Sequence, residues 1–217
     1  MEETYRKQNI RKVGQNMSFV GMHITNEGII AFADSKGTIE YESGYKQEDV
    51  NRGPIQKIFK NNHFILVTHG NNEIFSSKVH LEDYLNKKVK DGVNVNEFLN
   101  QFYNDLIHDK PDYNDGFYRF IIGTKNDKNM YCIYDIVIHI HDSTIYLPKP
   151  QSSGYIIGGN KRYMDIYQAH QFYHHIDIKE YSQHIKSVVE NMIQLEDCFT
   201  QYEYNPAGLP IQIEIFQ

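Results

Sequence analysis

The fold of this chain is decided by two short segments near its start, Ser18-Phe-Val-Gly-Met-His-Ile24 and Gly28-Ile-Ile-Ala-Phe-Ala-Asp34. Each reads as a β-strand, and the turn Asn26-Glu-Gly28 between them predicts a hairpin. The second segment is apolar at almost every position before its aspartate, without alternation. Such a run predicts a strand that is buried on both faces and therefore lies between two layers of structure.

The rest of the chain alternates between groups of strands and pairs of helices. Further strands are predicted at 38–45, 55–59, 63–68, 117–123, 130–136, 137–147, 154–159 and 209–216. Helices are predicted at 72–90, at 96–108 behind Asn94 as N-cap, at 160–174 and at 178–197, and residues 46–53 are predicted to be a loop. Helix pairs between strand groups predict an α+β domain, a four-layer αββα sandwich of two packed sheets with helices outside each.

Composition narrows the class of protein. The chain has 217 residues, of which 40% are apolar and 23% charged, as expected for one globular domain with its own core. A net charge of −6 with no basic stripe argues against nucleic acid as a partner. No apolar run approaches the roughly 20 residues of a membrane span. Neither of the two cysteines has a CxxC partner, and residues 1–17 lack the apolar segment of a secretory signal. Both features predict a cytoplasmic protein.

Three blocks of the sequence resemble motifs of one enzyme family. Gly28-Ile-Ile-Ala-Phe-Ala-Asp-Ser-Lys-Gly-Thr38 is similar to G-V-V-(I/L)-A-A-D-S-R-A-T, and Ile55-Gln-Lys-Ile58 is similar to V-x-K-(I/V). Ile156-Ile-Gly-Gly159 resembles the turn A-x-G-S-G before a helix. In this order, the blocks resemble the proteasome β-subunit and HslV family of N-terminal-nucleophile (Ntn) hydrolases, from residue 18 to the C-terminus.

The resemblance implies a catalytic site of four residues and no cofactor. The family's nucleophile, a threonine, lies sixteen residues before the aspartate of the first block, which is the position of Ser18. Residues 1–17 would then be a propeptide, and the α-amino group freed by its removal would act as general base. Lys57 would activate the nucleophile electrostatically, Asp34 would pair with Lys57, and the backbone N–H of Gly70 would donate to the oxyanion.

The chain departs from the family pattern around this site. Met17 precedes the nucleophile where the family has glycine, whose backbone adopts the strained turn of self-cleavage more easily. The other departures are His69 in place of alanine, Gly159 in place of serine, Glu203-Tyr-Asn-Pro-Ala-Gly208 in place of D-x-x-S-G-G, and an insertion over 46–53.

Two functions follow from the resemblance. The first is a proteasome-like peptidase that removes residues 1–17 from itself and then hydrolyses peptide or protein substrates. The alternative is a non-catalytic subunit of the same fold, which keeps its extension, uses Asp34 and Lys57 as a structural ion pair and serves as scaffold or binding module. A non-peptide amide is a further substrate class. In either case a homo-oligomeric ring or partial ring is expected, with an ATPase as a possible partner.

Other constellations of polar residues are weaker candidates. The alternating His139 and His141 could chelate a metal, as could His174-His175, but neither pair has a third ligand at a suitable spacing, so no metal is predicted. A Ser143–His184–Asp142 grouping is one of many that eleven histidines allow. Gly158-Gly-Asn-Lys161 lacks the spacing of a phosphate loop and predicts a tight strand-to-helix turn, whose amides could face a substrate backbone.

Overall fold

The chain folds as a mixed α+β protein with four helices and antiparallel sheets in the part that the computed structural model describes. Those residues are 18–40, 45–110, 117–140, 144–172, 177–199 and 204–217. The strands are β1 (Phe19–Ile24), β2 (Ile29–Ala33), β3 (Thr38–Glu40), β4 (Lys46–Glu48), β5 (Ile58–Lys60), β6 (Phe64–Gly70), β7 (Glu73–Ile74), β8 (Val79–His80), β9 (Phe117–Lys125), β10 (Tyr131–His139), β11 (Ile145–Tyr146), β12 (Tyr155–Gly159) and β13 (Gln212–Phe216). The helices are α1 (Leu81–Lys88), α2 (Val95–His108), α3 (Lys161–Ala169) and α4 (Ile178–Phe199).

The strands form two main sheets and two small ribbons. The first sheet has the order β12-β1-β2-β13, and the second has the order β11-β10-β9-β6-β5. The ribbons pair β3 with β4 and β7 with β8. Every strand pair is antiparallel. No described helix combines the length and apolar character that crossing a bilayer requires.

The hairpin of β1 and β2 forms the centre of the first sheet, as the sequence predicts. Val20 pairs with Ala33 and Ile24 with Ile29, and the hydroxyl of Thr25 caps the turn by accepting the backbone N–H of Gly28 at 3.0 Å. All five residues of β2 are buried. The prediction that this strand is covered on both faces is therefore confirmed.

The side chains of the strands alternate between hydrophobic clusters. From β2, Ile30 and Phe32 pack into a cluster with α3 and α4, whereas Ile29, Ala31 and Ala33 join a cluster formed by both main sheets. On the second sheet, Leu66 packs with α1 and α2, while Val67 joins the cluster shared by the sheets. Successive side chains of a strand point to opposite faces, so one apolar strand contributes to a different hydrophobic cluster from each face.

The structure corrects the prediction of a helix over 72–90. Residues 73–80 instead form the ribbon of β7 and β8, and the helix begins only at Leu81. Phe75 and Lys78 have positive φ values of 73° and 56°, and the turn is closed by a hydrogen bond from Lys78 N to Phe75 O. Left-handed residues cannot continue an α-helix, so apolar spacing alone misassigned this segment.

Smaller corrections concern strand limits and one helix face. The predicted boundary between the strands at 130–136 and 137–147 is wrong, because β10 runs from Tyr131 to His139 and pairs with β9 without a break. Part of the predicted loop 46–53 is β4, a partly exposed ribbon strand that tolerates charge. Ile107, in the last turn of α2, is 42% exposed. The predicted strand 38–45 is described only as β3, because 41–44 lie outside the described residues.

Asn94 is the N-cap of α2, as predicted, and it also forms a capping box with Glu97. Its side chain accepts the N–H of Glu97 at 3.0 Å, and the carboxylate of Glu97 accepts the N–H of Asn94 at 3.0 Å. We expect Asn94→Ala to lower the free energy of unfolding by about 1 kcal/mol. Asn100→Ala, at an exposed position inside the same helix, should be neutral or slightly stabilising because alanine is the better helix former. Urea denaturation of both variants measures the difference, and equal effects would contradict the capping role.

Candidate active site

Ser18, Asp34 and Lys57 meet where β1 begins, β2 ends and β5 begins. The ammonium of Lys57 lies 2.9 Å from Ser18 Oγ and 2.8 Å from Asp34 Oδ1. The side chains of Lys57 and Asp34 are 4% and 0% exposed, so their ion pair is shielded from water. Three of the four site residues predicted from sequence are therefore in direct contact.

Asp34 is held by the backbone as well as by Lys57. The aspartate follows β2 directly, so its carboxylate reaches the start of the neighbouring β1, where Oδ1 accepts the N–H of Phe19 at 2.9 Å. Oδ2 accepts the N–H groups of Lys36 at 3.1 Å and Gly208 at 3.3 Å. With the bond from Lys57, the two oxygens accept four hydrogen bonds, which matches the acceptor capacity of an ionised carboxylate.

Lys57 is fixed at both its ammonium and its backbone. The ammonium donates to Ser18, to Asp34 and, at 3.0 Å, to the carbonyl oxygen of Lys36, so all three of its N–H donors are used. The backbone N–H of Lys57 donates to the side-chain oxygen of Gln212 at 2.9 Å, and the amide nitrogen of Gln212 donates to Ile55 O at 2.6 Å. β13 thus holds the segment that carries the lysine.

The backbone of Ser18 is held by the turn between β12 and α3. The N–H of Asn160 donates to Ser18 O at 2.8 Å, and Asn160 is also the N-cap of α3. Gly159 has a φ of +112°, and a Cβ at this position would lie 1.7 Å from Ser18 O. The glycine is therefore required by close backbone approach, and an amide at the start of the helix binds the serine's own carbonyl.

Gly70 ends β6, as the sequence predicts, and its neighbour His69 lies between the sheets. Gly70 has a φ of +106°, and a Cβ there would meet Phe117 O at 2.5 Å. The side chain of His69 lies against Gly158 of β12, where a Cβ would come within 2.3 Å of Nε2. β6 also packs on β1, and Gly158, which His69 contacts, is paired with Val20 of β1. The role of Gly70 as oxyanion donor stays a prediction.

His69 is a buried histidine without a hydrogen-bond partner among the described residues. It is 4% exposed, and neither ring nitrogen is paired there. Burial, the nearby charge of Arg119 and that of Lys57 lower the pKa of His69 from 6.5 to about 3. The imidazole is therefore neutral near pH 7 and leaves Lys57 as the cation of the site.

The arrangement matches what activation of a serine hydroxyl requires. A buried ammonium beside Oγ stabilises negative charge that develops on the oxygen when its proton is removed. The carboxylate of Asp34 offsets the cost of burying that ammonium and fixes its position. The missing component within these contacts is a proton acceptor, and the α-amino group of Ser18 would supply one if the bond to residue 17 were cut.

Several residues that hold the site could not be assigned from the sequence. Gln212 lies in a strand predicted only from its apolar alternation, and no motif marks its contact with Lys57. The burial of His69 depends on the approach of β12, which is distant in sequence. Gly208 is different, because it matches one glycine of the D-x-x-S-G-G motif in the resemblance, and this partial match could have placed it beside Asp34.

The weaker candidate sites gain no support. His141, Asp142, Ser143, His174, His175 and Glu203 lie outside the described residues, as does the predicted propeptide at 1–17. Among the described residues, no group of three or more His, Cys, Asp or Glu side chains is arranged to hold a metal.

Comparison with known proteins leaves the site to be interpreted from its geometry. No protein-family model matches this chain, and no curated protein matches its sequence.

The contact between Gly159 and Ser18 predicts an unusually severe substitution. Gly159→Ala should prevent stable folding or displace Ser18, because the methyl group would overlap the serine carbonyl. Gly154→Ala is the matched control, since Gly154 also has a positive φ, +82°, at the other end of β12 but has open space around it. We expect the control to cost about 1 kcal/mol in urea denaturation. Similar costs for both variants would contradict the close approach.

Burial of neutral His69 predicts a loss of stability in acid. The unfolded chain binds the proton below about pH 6.5, whereas the folded protein binds it only near pH 3, so stability is lost as the pH falls through this window. Between pH 7.5 and about pH 5, this residue should account for about 2 kcal/mol of the lost unfolding free energy. Denaturation of wild type and His69→Asn at both pH values measures the difference. An unchanged pH dependence in the variant would contradict the assignment.

Proposed function

We propose that the protein is a proteasome-like Ntn peptidase in which Ser18 replaces the family's threonine. The observation that carries this proposal is the simultaneous contact of the Lys57 ammonium with Ser18 Oγ and Asp34 Oδ1. The sequence resemblance assigns these three residues to nucleophile, activator and partner, and they lie far apart in the chain. Their convergence supports a resemblance that was drawn from short motifs.

The packing of the sheets supports the fold that the proposal needs. One cluster joins α1 and α2 to the second sheet, another joins α3 and α4 to the first sheet, and a third is formed by both sheets. We infer from these clusters the four-layer αββα order of an Ntn hydrolase, in which the hairpin of β1 and β2 lies in an inner layer and presents Ser18 at its end.

The proposed reaction uses Ser18 twice. In self-processing, Oγ attacks the carbonyl carbon of Met17, the C–N bond to Ser18 breaks, and the serine nitrogen takes up a proton. Water then hydrolyses the resulting ester and releases residues 1–17. In turnover, the free α-amino group removes the hydroxyl proton and Oγ attacks the carbonyl carbon of a substrate amide. The C–N bond then breaks, and the protonated α-amino group returns the proton to the departing amine. Water hydrolyses the resulting ester, which releases the carboxylic acid and restores the serine. Lys57 stabilises charge on Oγ throughout, and Gly70 N–H would bind the oxyanion.

The setting of the enzyme is part of the proposal. Substrates are peptides or proteins that bind beside β3 and residues 68–72, and the working form is a homo-oligomeric ring or partial ring with an ATPase as a possible partner. Both cysteines have free thiols, and that of Cys198 is exposed, which favours a reducing, cytoplasmic location.

A non-catalytic subunit is the second candidate, and one observation favours it. Every donor of the Lys57 ammonium and the full acceptor capacity of Asp34 are satisfied within the chain, as in a structural ion pair. In that case residues 1–17 stay attached, and the protein acts as scaffold or binding module.

Intact mass spectrometry tests whether Ser18 is a working nucleophile. We expect the purified wild-type chain to lose residues 1–17 and Ser18→Ala to retain them, because the alanine has no hydroxyl to attack the preceding carbonyl. Ser18→Thr keeps a hydroxyl and should also process. Retention of all residues in the wild type and both variants after prolonged incubation would overturn self-processing and favour the scaffold.

Lys57 should affect both stability and processing. Lys57→Ala leaves the Asp34 carboxylate buried without its cation, which should lower the free energy of unfolding by about 3–5 kcal/mol. Processing should be lost as well. Lys60→Ala is the control on the same hairpin, because its ion pair with Glu214 is exposed and should contribute less than about 1 kcal/mol. Normal processing by a folded Lys57→Ala protein would rule out its role as activator.

A further inference from the structure

Two histidines far from the candidate active site face each other across two helices. His170 follows the end of α3, and His184 lies in the first half of α4. Their Nε2 atoms are 3.2 Å apart, the ring centroids are 5.3 Å apart, and the ring planes are tilted by 38°. His170 is exposed, so ions from solution can reach the pair.

The positions of both rings are fixed by their surroundings. The backbone N–H of His170 donates to Tyr167 O at 3.1 Å, and the side chain of Tyr167, a residue of α3, is completely buried. The ring of Phe172 lies 4.8 Å from the ring of His170 and 6.1 Å from that of His184, measured between centroids. His184 follows the buried Tyr181 by one helical turn of α4. The short distance between the nitrogens thus results from packed elements on both sides.

We propose that His170 and His184 form a binding site for a divalent transition-metal ion, for which Zn²⁺ serves as the probe. An ion bound there would link the end of α3 to α4. Imidazole nitrogens bind Zn²⁺ at about 2.0–2.1 Å, and two ligands of a tetrahedral ion at that distance are roughly 3.3 Å apart. The observed 3.2 Å between the Nε2 atoms meets this requirement with only a small rotation of the rings.

The pair would bind an ion through a change of tautomer. Without metal, the Nε2–H of one ring donates to the Nε2 lone pair of the other. When that ring carries its proton on Nδ1 instead, both Nε2 lone pairs face the ion, as metal-bound histidines require. Water would complete the coordination sphere, since the described residues offer no third protein ligand at this place. Two imidazoles also select against Mg²⁺ and Ca²⁺, which prefer oxygen ligands.

This site does not depend on the proposed peptidase activity. It lies on the helical side of the first sheet, with α3 and α4, whereas Ser18, Asp34 and Lys57 lie at the ends of strands. An ion at this position would act as a crosslink that stabilises the folded state relative to the unfolded chain.

Calorimetric titration of the full chain with Zn²⁺ tests the site. We expect one binding event in the wild type, and a loss of affinity of about tenfold or more in both His170→Asn and His184→Asn. His63→Asn is the control, because His63 is exposed on the opposite sheet, and it should bind like the wild type. Circular dichroism checks that each variant is folded. Zn²⁺ should also raise the melting temperature of the wild type and of His63→Asn, but not that of the other two.

Three outcomes would overturn the proposal. One is wild-type affinity in His170→Asn or His184→Asn, which would leave the pair as a simple hydrogen bond. Another is loss of binding in a His174→Asn, His175→Asn double variant while His170→Asn still binds, which would move the site to the neighbouring histidines. A titration with Mg²⁺ should give no binding event, and binding of Mg²⁺ at the same place would contradict an imidazole site.

Discussion

The ion pair between Asp34 and Lys57 is the interaction on which the rest of the structure depends. Two charges removed from water are tolerated only when each satisfies the other and the remaining hydrogen-bonding capacity is also filled. Here that condition is met by Phe19 of β1, by Ser18 before that strand, by Lys36 after β2 and by Gly208. The pair therefore connects the two main sheets at one end, and the apolar cluster between the sheets connects them over the remaining area.

The same contacts can serve a structural or a catalytic purpose, and the difference between the two is a base that can accept the proton of Ser18. As a structural pair, Lys57 needs Asp34 and acceptors for its remaining N–H groups, and Ser18 Oγ is one of these acceptors. The same contact is what a nucleophile would require, and the turn at Gly159 holds the serine backbone in place for it. Neutral His69 adds no second positive charge to this region. What the contacts lack is a base, which only a free amino group at residue 18 would provide.

The sequence predicted those parts of the fold that depend on local pattern. The continuous apolar run of β2 was sufficient to predict burial on both faces, and Asn94 predicted a helix start. The ribbon at 73–80 was missed because its apolar spacing also fits a helix, whereas positive φ at Phe75 and Lys78 has no clear sequence signal. In the site, the motifs placed Ser18, Asp34 and Lys57, but Gln212 depends on tertiary contacts that no local pattern records.

In the proposed mechanism, a free α-amino group on Ser18 turns the contact with Lys57 into a catalytic site. Amide hydrolysis of a peptide library tests this, with a chain released from a fusion so that it begins at Ser18. A chain beginning with alanine at position 18 and the full chain with Ser18→Ala serve as references. We expect turnover only by the chain that begins with serine. Equal activity of all three chains, or none in a folded chain that begins at Ser18, would contradict it.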